Sequence, residues 1–265
     1  MGYKADCGYL IAAFNNNSAD YIACAETLAL SLRKWHPAAK ICLVTDEEYQ
    51  NPVFDFVEYL KTPSKLDWKV DLDAHLYKVT PFHETVKIEA DCVVASPIDH
   101  WWKLFRNFDV WVSSGARDFQ NKVARSRKYR KIFDDNLLPD VYNAVTYWRA
   151  SRLSVEFFEL VNTIFENWSV VQQTLKYAKD HPPNTDLAYA IAIDILGRER
   201  FTSPRIGPLI VHMKSAINQL IADDWSEQLV WEIADRQFRI NGFAQNGILH
   251  YNKKHLATKF RQCYE

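Results

Sequence analysis

Glycine is scarce in this chain, with 7 residues in 265, and neither a Gly-x-Gly-x-x-Gly turn nor a Gly-x-x-x-x-Gly-Lys loop is present. That shortage excludes the glycine-rich turns with which dinucleotide sites and P-loops bring backbone N–H groups up to phosphate. An excess of charge is missing too. With 32 Lys+Arg against 33 Asp+Glu the formal net charge is -1, so the molecule as a whole is no polycation, and any affinity for nucleic acid has to be local. No run approaches the roughly 18 apolar residues of a membrane span. The first residues lack the apolar core of a signal peptide, and Asp6 breaks the myristoylation pattern that follows Gly2. Cysteine occurs only as Cys7, Cys24, Cys42, Cys92 and Cys263, an odd number without Cys-x-x-Cys spacing. That argues against a disulfide framework and fits a reduced compartment. The expectation is a soluble, cytoplasmic, non-secreted chain.

What is present is apolar surface: 48% hydrophobic residues, 14% of the chain aromatic. Disorder is excluded, and the length suits one α/β domain with a large core. Residues 9–14 and 41–45 are unbroken apolar runs that read as buried strands, with 54–60 as a third. Between the first two, a helix capped by Ser18 runs to Trp35, with Ala25, Leu28 and Leu32 on one stripe, and Pro37 stops it. Continuous apolar strands alternating with helices imply a mostly parallel sheet covered on both faces. Further along, 98–105 reads as a short helix, 109–114 and 141–148 as strands, 154–168 and 187–196 as helices, and 209–212 as a last core strand. Residues 1–222 make the domain; 223–265 read as a helical, peripheral tail. Asp71-Leu72-Asp73 lacks an apolar strand leading into it and reads as a helix cap, and Asp134-Asp135 and Asp223-Asp224 as turns or caps.

The segment 85–97 is the informative one. Its strand delivers Glu89 and Asp91 to one carboxyl end. Residues two apart in extended backbone share a face, so both carboxylates can converge on one hard cation, Mg²⁺ or Mn²⁺. In sheets of this kind ligands sit outside the carboxyl ends of strands, where Asn15 and Asp46 also fall. A cation there would suit a diphosphate.

Four segments in order carry a resemblance to the glycogenin-like glycosyltransferases, across roughly residues 8–220. They are Tyr21 with Ser31-Leu32-Arg33 and the strand 41–45, then 80–91, then Tyr142-Asn143-Ala144, then Asn184-Thr185-Asp186 followed by Val211-His212. The resemblance implies a GT-A (Rossmann-like) domain with a mixed, mostly parallel sheet flanked by helices. It also implies a hexosyl- or pentosyltransferase that uses an NDP-sugar, UDP-sugar by preference, with Mn²⁺ or Mg²⁺. By the same resemblance Glu89, Asp91 and His212 are the metal ligands. Phe14, Asn15, Tyr21, Asn184 and Lys214 bind the nucleotide-sugar, Tyr21 by stacking on the base. Asp186, Asn143 and Thr185 are the catalytic group, Asp186 positioning the acceptor or stabilising cationic character in a retaining reaction. The chain departs from the family pattern at Glu89, where Asp is usual, at Val145, where Gly is usual, and at Ser215 and Asn218, where Gly and a phosphate-binding Lys are usual. Lys214 stands in for that lysine.

The acceptor is a hydroxyl of open identity. Lys122, Arg125, Arg127, Lys128, Arg130 and Lys131 form one basic stretch. It reads either as a solvated helix face or as a surface for an anionic acceptor, including a flipped, hydroxymethylated base in DNA as in phage DNA glycosylation. A noncatalytic nucleic-acid-binding module is the alternative from another class, and a nucleotidyltransferase releasing pyrophosphate is a third.

Overall fold

The structure is a computed structural model and describes residues 2–61, 63–64, 66–123, 130–203, 205–213, 225–234 and 237–265. Its described strands are β1 (Ala5–Ala12), β2 (Ile41–Thr45), β3 (Phe56–Tyr59), β4 (Phe82–Glu89), β5 (Cys92–Val94), β6 (Val110–Ser114), β7 (Val141–Arg149), β8 (Ile210–His212), β9 (Trp231–Ala234), β10 (Gln237–Ile240), β11 (Phe243–Ala244) and β12 (Ile248–His250). Its α-helices are α1 (Tyr21–Trp35), α2 (Leu76–Val79), α3 (Trp101–Phe105), α4 (Lys131–Asp135), α5 (Arg152–Glu166), α6 (Trp168–Thr174), α7 (Thr185–Leu196) and α8 (Leu256–Arg261). A six-stranded sheet runs β3-β2-β1-β4-β7-β6. It is parallel from β3 to β4 and antiparallel at β4–β7 and β7–β6.

Strand periodicity divides the core in two. Along β1 and β2, Tyr9, Ile11, Ile41 and Leu43 point to the face covered by α1, while Leu10, Cys42 and Val44 point to the face covered by α5 and α7. The unbroken apolar runs of these strands follow from that two-sided burial. Gly8 on β1 is needed for close approach, because a Cβ there would stand 2.3 Å from the ring of Phe82 on the neighbouring strand.

The first helix begins later than Ser18. Asp20 is its N-cap, its Oδ1 accepting from Ala23 N at 3.0 Å. Asn15 Oδ1 accepts from Tyr21 N (2.7 Å) and Ile22 N (3.1 Å). Together they satisfy three of the orphan N–H groups of the first turn. Helix α5 is likewise capped by Ser151, with Ser154 inside it. The Asp71-Leu72-Asp73 triplet lies in a 3₁₀ turn (Val70–His75) with no side-chain cap, and Asp73 is buried instead.

The tail expected to be helical and peripheral is α-helical, among the described residues, only at Leu256–Arg261, and much of it is buried. Residues 231–250 contribute four strands, and Phe238, Ile240, Ile248, Leu249 and Tyr251 are core residues. Strand β12 inserts between β5 and β8, antiparallel to the first and parallel to the second, so that Cys92, His250 and His212 stand in one row. Gly247 permits the insertion: its φ is +76°, and a Cβ there would lie 2.7 Å from the Leu209 carbonyl oxygen. Helix α8 then packs on α1, where Thr27 Oγ1 donates to Ala257 O at 3.3 Å and Arg261 pairs with Glu26 at 2.7 Å. Alternating aromatic and charged residues in this tail gave no helical stripe, and the short strands satisfy their backbone only through partners far away in sequence.

Candidate functional site

Glu89 is the last residue of β4 and pairs in register with Ala12, the last residue of β1, so the acid leaves the sheet at its carboxyl edge. Asp91 follows in the turn Ala90–Asp91 between β4 and β5, and Tyr251 N donates to the Asp91 carbonyl at 3.0 Å, tying that turn to the end of β12. His250 Nε2 lies 3.1 Å from Asp91 Oδ2 and 3.4 Å from Glu89 Oε2. One ligand atom from each of these three residues falls within 4.8 Å of the others. Lys254 Nζ sits 2.5 Å from Asp91 Oδ2.

The charges divide unevenly. Burial would raise the Asp91 carboxyl, but His250 and Lys254 hold it well below the usual carboxylate range. Burial raises Glu89, and Lys87 and His250 only partly oppose it. Burial lowers His250 and Lys254, yet the facing acids, Asp91 above all, raise both. The raise at Glu89 comes from burial, a desolvation cost that a cation bound beside its carboxylate would offset. Two carboxylates and an imidazole form a donor set suited to Mn²⁺ or a related divalent ion.

His212, expected as the third ligand, is placed one ring further out. Its Nδ1 is 3.0 Å from His250 Nδ1, and His250 occupies the position against both acids. The cause is β12: its insertion between β5 and β8 puts the imidazole of His250 between His212 and the carboxylates. His250 was missed from sequence. The apolar triplet Ile248–His250, ending in histidine with Lys254 close behind, has the same local pattern as Ile210–His212, but the resemblance pointed to His212 alone.

Two clefts meet at these residues. One, of about 210 Å³, is lined by Phe14, Tyr21, Trp68, Asp73, Lys87 and Lys254 together with both acids. The other, of about 350 Å³, has an apolar wall of Ile132, Phe133, Tyr142 and Leu187 and a polar side of His181, Asn184 and Asp186. Val70, Glu89, Thr185 and His250 border both. In the first, Lys254 Nζ is 5.4 Å from the centroid of Tyr21, whose hydroxyl burial pushes up to about 12.

Beneath Glu89 lies a buried polar network. Lys87 Nζ pairs with Asp73 Oδ2 at 2.9 Å, and Asn143 Nδ2 donates to the same oxygen at 2.6 Å and to Glu89 Oε1 at 3.3 Å. Asp186 Oδ1 accepts from Asn143 N at 2.7 Å and its Oδ2 from Arg130 Nη1 at 2.8 Å. Thr185 is buried at the first turn of α7. Neither Asp73 nor Lys87 was singled out for the site, because a lone lysine in an apolar strand has no local partner to announce it.

Several expected binders have structural work as well. The side-chain oxygens of Asn15 and Asn184 accept helix N–H groups, Asn184 Oδ1 from Leu187 N at 2.9 Å as the cap of α7. Arg130 is no surface cation: it is 3% exposed, its Nε bonds Asp140 Oδ1 at 3.0 Å, and its guanidinium lies 3.5 Å and 4.1 Å from the rings of Phe133 and Tyr142. Two acids and two aromatic faces desolvate and pair it. Lys122 and Lys131 are exposed, the latter with Nζ 3.8 Å from the Tyr177 ring. Arg125, Arg127, Lys128 and Lys214, with Ser215, Asn218, Asp223 and Asp224, lie outside the described residues. No described helix is long and apolar enough to cross a membrane.

No protein-family model matches this sequence, and no curated protein matches it. Solved structures do share its shape. A galactosyltransferase LgtC in complex with donor and acceptor sugar analogs superposes with a TM-score of 0.57 at 12% identity, covering 97% of this chain and 95% of that one. An active-site mutant of LgtC gives 0.57 at 11% identity, with 97% and 94% covered. Mouse xyloside xylosyltransferase 1 in its apo form gives 0.52 at 13% identity, with 94% and 98% covered. The chain has the GT-A fold of these structures over nearly its whole length.

Proposed function

We propose that this chain is a metal-dependent glycosyltransferase that moves a hexosyl or pentosyl group from a nucleotide-diphospho-sugar, UDP-sugar by preference, to a hydroxyl acceptor. The observation that carries the reading is the convergence of Glu89, Asp91 and His250 at the carboxyl edge of β1 and β4, the edge at which open α/β sheets bind ligands, in a fold shared with two sugar transferases. Glu89, Asp91 and His250 would hold Mn²⁺ or Mg²⁺, which when bound supplies Lewis-acid charge neutralisation on a diphosphate.

The chain's own groups divide the remaining work. Tyr21 and Phe14 line the first cleft and offer it aromatic surface for a base. Lys254, already beside Asp91, brings a second positive charge to the same end, the role the resemblance assigned to Lys214. Asp73, Lys87 and Thr185 line the first cleft, and Asn143 bonds to Asp73 and Glu89 behind them, so these four are suited to orient sugar hydroxyls. The second cleft takes the acceptor, its apolar wall excluding water from the transfer.

Asp186 bears on the stereochemistry. Both its oxygens are engaged, by Asn143 N and Arg130, so it is better suited to stabilise positive character on the sugar than to remove a proton. The proton of the acceptor hydroxyl then goes to an oxygen of the departing diphosphate on the same face, which retains the anomeric configuration.

A panel of UDP-, GDP-, CDP- and ADP-sugars tests this by thermal shift and by slow hydrolysis with Mn²⁺. One donor should raise the melting temperature and be hydrolysed, and Asp91→Ala should cut hydrolysis by about 10²-fold or more, as expected for several kcal/mol of charge stabilisation. Hydrolysis unchanged in Asp91→Ala would overturn the assignment.

A further inference from the structure

Two histidines in ring-to-ring hydrogen-bond contact are an unusual neighbour set for a cation site, because an imidazole pair can share only one proton between facing nitrogens when both rings are neutral. His250 Nδ1 and His212 Nδ1 are 3.0 Å apart, and the ring centroids are 4.8 Å apart. His250 Nε2 faces Asp91 and Glu89. The far side of His212 is covered by Tyr142, with ring centroids 5.5 Å apart. Both rings are buried, and the parallel pairing of β12 with β8 holds them in register.

We propose that His212 is a positioning residue that sets the tautomer of His250; the inference rests on the metal reading above. A ring nitrogen that ligates a cation must present a bare lone pair to it, so the proton of a neutral His250 has to reside on Nδ1. Facing that nitrogen at hydrogen-bond distance is His212 Nδ1. His212 therefore accepts there, with its own proton on Nε2. The arrangement locks the His250 ring in orientation and, with a cation held between the ring and the two carboxylates, directs the Nε2 lone pair to that cation. Outer partners of this kind are usually a carboxylate or a carbonyl, and losing one typically costs 10–100-fold in metal affinity. Here a second histidine does that work, and the register of β12 against β8 is what supplies it.

The test is Mn²⁺ affinity of the whole chain without nucleotide, by isothermal titration and by the EPR signal of free Mn²⁺. His212→Phe keeps a ring against Tyr142 but removes the acceptor, and should weaken Mn²⁺ by about 10–100-fold while leaving the metal-free melting temperature close to wild type. His212→Asn puts an amide oxygen near the position of Nδ1 and should keep affinity within about threefold, short of the loss expected when such a partner is removed. In a ¹⁵N-histidine spectrum of the Mg²⁺-loaded wild type, His250 Nδ1 should be the protonated nitrogen and His212 Nδ1 the bare one, a readout that needs no variant to fold. Unchanged affinity in His212→Phe, or the reverse tautomers, overturns the inference alone. If His212→Asn loses as much affinity as His250→Ala, His212 is itself a ligand and the inference fails. A wild-type chain that takes up no Mn²⁺ fails the metal reading, and this inference with it.

Discussion

Lys87 is the most demanding residue in the fold, a lysine 2% exposed in the middle of the central sheet. Burial would lower its amine, but Asp73, Glu89 and the hydrogen bond to Asp73 more than reverse that, so it stays charged. Asp73 Oδ2 lies 2.9 Å away, and the other contact of Nζ is the Asn143 carbonyl at 3.5 Å. Asp73→Ala removes the close counter-charge and leaves an ammonium group in the core with one marginal acceptor. Breaking a buried pair from one side costs about 3–5 kcal/mol, whereas the exposed Arg106–Glu84 pair, with Arg106 52% exposed, should be worth at most about 1 kcal/mol. For a chain of this size about 2 °C is lost per kcal/mol, so Asp73→Ala should melt about 6–10 °C lower. The double variant Asp73→Leu/Lys87→Met removes both charges and should recover most of that loss. Urea unfolding followed by circular dichroism, with calorimetry for the melting temperature, reads both. An Asp73→Ala cost below about 1 kcal/mol, or a double variant as unstable as the single one, would refute the argument that desolvation dominates here.

Two further outcomes follow from local geometry. His36 accepts from Ile98 N at Nε2 (2.9 Å) and bonds Asp99 through Nδ1 (2.5 Å), so the neutral ring is fully used, and burial lowers its pKa despite Asp99. The unfolded chain then takes up the proton first as pH falls below about 6.5, so stability should decline from about pH 7 toward 5. His36→Gln, which keeps an acceptor for Ile98 N, should flatten that decline; an identical pH slope in the variant would disprove the assignment. Gly247→Ala should cost more than about 1 kcal/mol through its positive φ and the Leu209 carbonyl, and should weaken Mn²⁺ binding by displacing β12. Gly242 is the control, with φ +78° and no atom within 4 Å of its would-be Cβ; an Ala substitution equally costly at both would show that backbone strain alone, and not the close approach, governs Gly247.

What the linear sequence determined is what neighbours in the chain determine. The unbroken apolar runs at β1 and β2 announced a sheet covered on both faces, because side chains alternate along a strand whatever packs on it. Glu89 and Asp91 could be paired by eye, since two residues of separation leave them little choice but to emerge together. The helix that ends before Pro37 is also written within a turn's length of chain.

Only the tertiary structure decided between the two histidines. Ile210–His212 and Ile248–His250 carry the same local pattern, and which ring meets the acids depends on β12 entering between β5 and β8 in one register; a slip of one residue would turn His250 to the other face. Likewise the run from Lys122 to Lys131 cannot tell its exposed cations from Arg130, which is drawn inside by Asp140, Asp186, Phe133 and Tyr142. Asn15 lost its side-chain oxygen to the N–H groups of a helix that starts six residues on. For the two histidines and Arg130 the deciding partner lies beyond the reach of local pattern, and its choice is made by the desolvation and hydrogen-bond demands of burial, which exist only once the chain has closed on itself.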